Sequence, residues 1–126
     1  MGDLNARTAS ESPDLHNHPP HTSPDPVINP RGRALLELAT RHGLYLVNGT
    51  CPEMAHPTSF SQHTADTATS VIDYCLASRV GYELLAGARV CEPADDSDHA
   101  PLHVALDLPA PALTAPPPRE YIPRWT

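Results

Sequence analysis

The strongest pattern in the chain lies just past its first quarter, where Ala34, Leu35, Leu38, Ala39 and His42 recur at spacings of three and four. That spacing lays one apolar stripe along a helix. Asn29 as N-cap and Pro30 at the first helical position open it, and Gly43 closes it in a left-handed conformation. Glu37 and Arg41 pair one turn apart on an outer face, while Arg41 and His42 suit the negative end of the helix dipole. Beyond the helix the period changes. Residues 44–47 read as a short apolar strand that stops at the turn dipeptide Asn48-Gly49. A second short strand is expected at 58–61, and 71–77 reads as a strand that is apolar on both faces except for Asp73. A helical turn at 82–86, a strand at 88–92 and an acidic loop at 95–99 follow. Leu102, Val104, Leu106 and Leu108 then alternate with His103, Ala105 and Asp107 in a half-buried strand over 102–108. Ahead of the helix, residues 2–7 read as a strand end that turns Asp3 and Asn5 to the same side. Residues 8–28 have no period and read as an exposed, flexible insertion. The tail at 109–126 is polyproline-like. Helices and short strands together predict a mixed class, α/β or α+β, with the fold in 1–108.

Composition supports that division. The 16 prolines crowd into residues 1–30 and 101–126, with three between them. Net charge is −7, from 15 acids against 8 bases, and every base is Arg. This balance argues against holding nucleic acid by electrostatics alone. It suits a site for hard divalent cations, which prefer carboxylate oxygens. Cys51, Cys75 and Cys91 are odd in number and have no close pair, so neither a disulfide framework nor a zinc site is expected. They read as reduced, mostly buried thiols of an intracellular protein. No apolar run approaches the roughly 20 residues of a membrane helix, and no basic-then-apolar leader opens the chain. A membrane is therefore not an expected partner.

Three short places put hard polar groups in or beside apolar strands: Asp3 with Asn5, Asp73, and Asp98 with His99. A carboxylate inside Val71-Ile72-Asp73-Tyr74-Cys75-Leu76 is costly unless paired. The obvious partner is His99, in the turn that enters the last strand. An Asp73–His99 bond would fix the imidazole tautomer, raise its basicity and aim the other ring nitrogen outward. Such a group suits metal-assisted phosphodiester hydrolysis, in which a cation and an imidazolium stabilise the charged transition state and a carboxylate handles the attacking water. An amide such as that of Asn5 can donate to a phosphate oxygen without adding repulsive charge. The histidines of His16-Asn17-His18-Pro19-Pro20-His21 lie in a Pro-rich stretch without a fourth ligand and are a poor metal site.

Gly2-Asp3-Leu4-Asn5-Ala6, Val71-Ile72-Asp73-Tyr74 and Ser97-Asp98-His99 follow the order seen in the endonuclease/exonuclease/phosphatase superfamily. The chain most resembles the endonuclease domain of LINE-type (non-LTR) retrotransposons. Asn29-Pro30-Arg31-Gly32, the run from Gly43 to Thr50 and Thr58-Ser59-Phe60 add to that resemblance, which covers residues 1–108. The resemblance implies a two-sheet sandwich with outer helices and Mg²⁺ or Mn²⁺ as cofactor. It implies that Asp3 aligns or deprotonates water and that Asn5 holds the scissile phosphate. Asp73 would orient His99, His99 would stabilise the phosphorane, and Asp98 would assist with Asp3 at the metal. The substrate would be DNA, and the location nuclear if the chain is part of a retroelement. Family domains are much longer, so the resemblance implies a C-terminal half truncated at its N-terminus. A metal-ligating Glu, a second phosphate-facing Asn and a Tyr would then be missing, and hydrolysis by this chain would be weak or absent. Ser70 stands where abasic-site enzymes tend to have Trp, which points away from that specificity. The alternative is an inactive remnant, or a Pro-rich interaction segment whose Pro116-Pro117-Pro118-Arg119 meets a proline-reading domain.

Overall fold

A computed structural model describes residues 1–60, 69–94 and 97–109. Among these the protein is α+β, with small antiparallel sheets and few helices. Helix α1 spans Pro30–His42 as its caps predict, but the expected stripe is only partly covered: Ala39 is buried and Leu35 half-buried, while Ala34, Leu38 and His42 are exposed. Asn29 Oδ1 accepts from Gly32 N–H at 2.7 Å, and Gly43 takes φ 63° at the C-terminus. The same Asn29 oxygen accepts from Arg7 N–H at 3.0 Å, and Asn29 N–H donates to Arg7 O. The N-cap thereby ties the helix to the chain's opening segment. A Cβ on Gly32 would run into the Arg7 carbonyl, so only glycine allows that approach.

The strands are short and pair in twos. β1 (Gly2–Asp3) pairs with β5 (Asp73–Tyr74), β2 (Tyr45–Leu46) with β6 (Leu76–Ala77), and β3 (Ser59–Phe60) with β4 (Thr69–Ser70). β7 (Leu85–Val90) and β8 (Leu102–Leu106) form the longest hairpin. The expected strand at 71–77 is thus two strands, because the Cys75 N–H leaves the ladder for the side chain of Asn48. The helical turn lies earlier than 82–86: α2 spans Arg79–Glu83, capped by Ser78 Oγ on the Gly81 N–H. β7 accordingly starts before residue 88. β8 ends at Leu106, with Asp107 N–H adding one further bond to Leu84 O, and Leu106 and Leu108 are both exposed. Ser61, Asp95, Asp96 and the tail from 110 on, including the 116–119 motif, lie outside the described residues.

The segment 8–28 contains no helix or multi-residue strand, as expected, and ten of its residues are exposed, yet it is tied to the fold at several points. Thr8 bridges Ile28 across its mouth, and His21 and Asp25 are buried. Asp25 receives Arg7 in a two-point ion pair, Nε to Oδ2 at 2.7 Å and Nη2 to Oδ1 at 2.6 Å. It also accepts from the N–H groups of Val27 and Val71. Leu46 N–H donates to His18 Nε2, and Thr22 N–H to Gly49 O. Polar side chains, rather than an apolar stripe, hold this segment down.

Two apolar clusters form the core. Ala6, Leu46, Val71 and Tyr74 make one, covered by Leu35 of α1. Val47, Met54 and Cys75 make the other, against the β7–β8 hairpin. All three cysteines are free; Cys75 is buried, which pushes its thiol pKa up, and Cys51 and Cys91 are half-buried. No described helix is long and apolar enough to cross a membrane.

Candidate active site

The β1–β5 register sets Asp3 directly opposite Asp73. Leu4 N–H extends this pairing to Ile72 O. On the other flank, Ser59 bridges His99, Phe60 N–H donates to Asp98 O at 2.7 Å, and Ala100 N–H donates to Thr58 O at 2.8 Å. These bonds carry the Ser97-Asp98-His99 turn to the Asp73 strand. Within the turn, Ser97 Oγ accepts from His99 N–H.

His99 Nδ1 then lies 2.9 Å from Asp73 Oδ2. A carboxylate accepts only, so Nδ1 carries the proton and Nε2 is turned outward. Nε2 faces Asp3 Oδ2 at 4.0 Å and Asp98 Oδ1 at 3.8 Å. The hydrogen bond to Asp73 is the main cause raising the His99 pKa above its ordinary value. Partial desolvation opposes it, and the charges of Asp73, Asp98 and Asp3 add to it. Ligand atoms of Asp3, Asp73 and His99 lie within 4.8 Å of one another. Beside them opens a groove of about 410 Å³ lined by Gly2, Asp73, Ser97, His99 and Leu102 among others.

Asp3, Asp73, Asp98 and His99 therefore meet as the sequence predicts. Asn5 is different. β1 ends at Asp3, and Asn5 adopts φ 49°, so strand alternation does not set its direction. Its backbone N–H caps Asp3 Oδ1 at 2.9 Å, while its side chain is exposed. The group whose ligand atoms converge is Asp3, Asp73 and His99; the sequence expectation pairs Asp3 with Asp98, which approaches His99 Nε2 at 3.8 Å but lies outside that group. Asp3 and Asp98 are both about half exposed. One or two such oxygens suit a hard cation that keeps most of its water.

Two residues at the site escape sequence reasoning. Thr58, fully buried, accepts from both Ile72 N–H and Asp73 N–H through one hydroxyl oxygen. Asn48 donates to Asp73 O and accepts from Cys75 N–H. Thr58 is legible only as a β-branched strand residue and Asn48 only as a turn former. Neither signal reveals a side chain bonded to a distant backbone. Comparison with protein-family models, with curated proteins and with solved structures yields no match, so the site stands on its own geometry.

Proposed function

We propose that this site performs metal-dependent phosphodiester hydrolysis on DNA, in the manner of the endonuclease/exonuclease/phosphatase superfamily. The two-sheet sandwich of that superfamily would be the wider architecture. The observation that carries the reading is the 2.9 Å Asp73–His99 bond, with Nε2 facing two further carboxylates. That arrangement keeps a proton on the outward nitrogen to higher pH than a free histidine would. The resulting imidazolium can stabilise charge gathering on a phosphoryl oxygen. Asp3, held by the Asn5 N–H, aligns the attacking water or takes its proton. The exposed Asn5 amide holds a phosphate oxygen. Asp3 and Asp98 together would hold hydrated Mg²⁺ or Mn²⁺, which supplies further charge neutralisation at the phosphate when bound.

A plasmid-nicking assay with Mg²⁺ or Mn²⁺ tests this. Slow, metal-dependent nicking is expected, falling by about 100-fold or more in His99→Ala, the usual scale of a lost proton-handling group. Nicking that is unchanged in His99→Ala overturns the proposal. So does the absence of nicking above buffer, which favours an inactive remnant.

A further inference from the structure

We propose that Asn48 is a positioning residue for Asp73, its carboxamide standing in for a peptide group that prolongs the β2 edge onto β5. The register shows why. Tyr45 and Leu46 of β2 pair with Ala77 and Leu76 of β6, and Val47 N–H continues this pairing to Cys75 O at 2.9 Å. The main chain then turns away at Gly49, whose φ is 73°. With the backbone gone, the Asn48 side chain takes the next two places in the ladder. Oδ1 accepts from Cys75 N–H at 2.9 Å, and Nδ2 donates to Asp73 O at 2.9 Å.

A primary carboxamide carries the same donor and acceptor as a peptide, so the substitution is chemically direct. It has a structural consequence that a turn residue alone would not. β5 belongs to the β1 pair and β6 to the β2 pair, so the Asn48 amide adds a polar tie between two sheets that the chain joins through Cys75. It fixes the backbone at the residue whose carboxylate holds His99. Asn48 is itself buried, and Gly49 beside it admits no side chain because a Cβ would meet the Thr22 carbonyl. Chain direction and amide are thus locked together. Alanine offers neither group, serine has no planar donor–acceptor pair, and an ionised aspartate only accepts.

The inference rests on reading His99–Asp73 as the reacting pair, but its principal readout needs no activity. Nitrogen-15 NMR of the His99 ring, recorded where the imidazole is neutral, reports which nitrogen carries the proton. The wild-type chain is expected to show the Nδ1–H tautomer alone. Asn48→Ala is expected to show a mixture of tautomers, while Tyr74→Phe, which removes a buried hydroxyl bond nearby, keeps the single form. Where nicking is measurable, Asn48→Ala should lose about 100-fold in kcat with KM little changed, as expected for misplacement by about 1 Å. A single Nδ1–H tautomer in a folded Asn48→Ala chain overturns the proposal. Should that variant not fold, exchange of the Asn48 side-chain amide protons in the wild-type chain decides. Slow exchange, matching the Cys75 amide, supports the link, and fast exchange overturns it. Absence of nicking in the wild-type chain, with the tautomer result intact, would sink the hydrolytic reading and leave the positioning role standing.

Discussion

Asp25 and Asp73 are both carboxylates at the margin of an apolar core, and their partners give them different work. Burial alone would raise the Asp25 pKa. The Arg7 guanidinium and the N–H groups of Val27 and Val71 together outweigh it and hold the carboxyl below its ordinary value. A lowered carboxylate contributes stability that is present above its unfolded pKa of 3.8 and is lost as pH falls through the folded value. Removing the side chain strands Arg7 and leaves two backbone donors unpaired. Asp25→Ala should therefore cost about 3–5 kcal/mol, read by urea unfolding at neutral pH. Asp73 meets an imidazole instead, at a surface groove, where solvent limits the gain and the partner is left able to act. Sequence reasoning reaches Asp73 because a charge inside a run of Val, Ile, Tyr and Leu stands out. Asp25 lies between Pro24 and Pro26 in a segment without period, and nothing local marks it as buried.

At the scale of elements, length decides what can be read. α1 has thirteen residues, a periodic stripe and two caps, so several independent signals agree on its bounds. Most strands have two residues, too few for alternation to declare a face, and their pairing is settled by contacts far away in sequence. The break at Cys75 is the clearest case: its cause is the side chain of Asn48, 27 residues earlier. The same dependence makes the start of α1 fragile. Gly32 packs its bare Cα side on the Arg7 backbone while Asn29 binds the Arg7 N–H, so helix and opening segment are one joint. Gly32→Ala would normally favour a helix by about 1 kcal/mol. Here the added Cβ must push the Arg7 carbonyl away, and a net loss of about 2–3 kcal/mol is expected in thermal or urea unfolding. An increase in stability would show that the joint can open without penalty.

Across the whole molecule, strands this short are marginal alone, and side chains bonded to distant backbone stitch the elements together: Asn29, Asn48, Thr58 and Asp25. Two histidines in this network respond to pH with opposite sign. The His21 ring is buried, with Nδ1 2.8 Å from Ser12 Oγ and Nε2 3.3 Å from Ala9 O, and burial lowers its pKa from 6.5 despite the Ala9 carbonyl. The unfolded chain then binds more protons at this residue than the folded one. Its contribution is complete above pH 6.5 and falls away as pH drops toward the lowered value. His99 is the reverse, since its raised pKa makes the folded state the better proton binder. Its contribution is complete below pH 6.5 and is lost as pH rises through the raised value. The His99 side chain is 38% exposed, so solvent screening limits its contribution. Urea midpoints measured across pH should therefore fall on both sides of a maximum. His21→Gln should flatten the acid side alone and His99→Gln the alkaline side alone. Hydrogen exchange should locate the two losses apart, at the Thr22 amide in mild acid and at the His99 and Ala100 amides in mild alkali. If either replacement left both slopes as in the wild-type chain, that histidine would not be bonded as described, and for His99 the Asp73 partnership would fall with it.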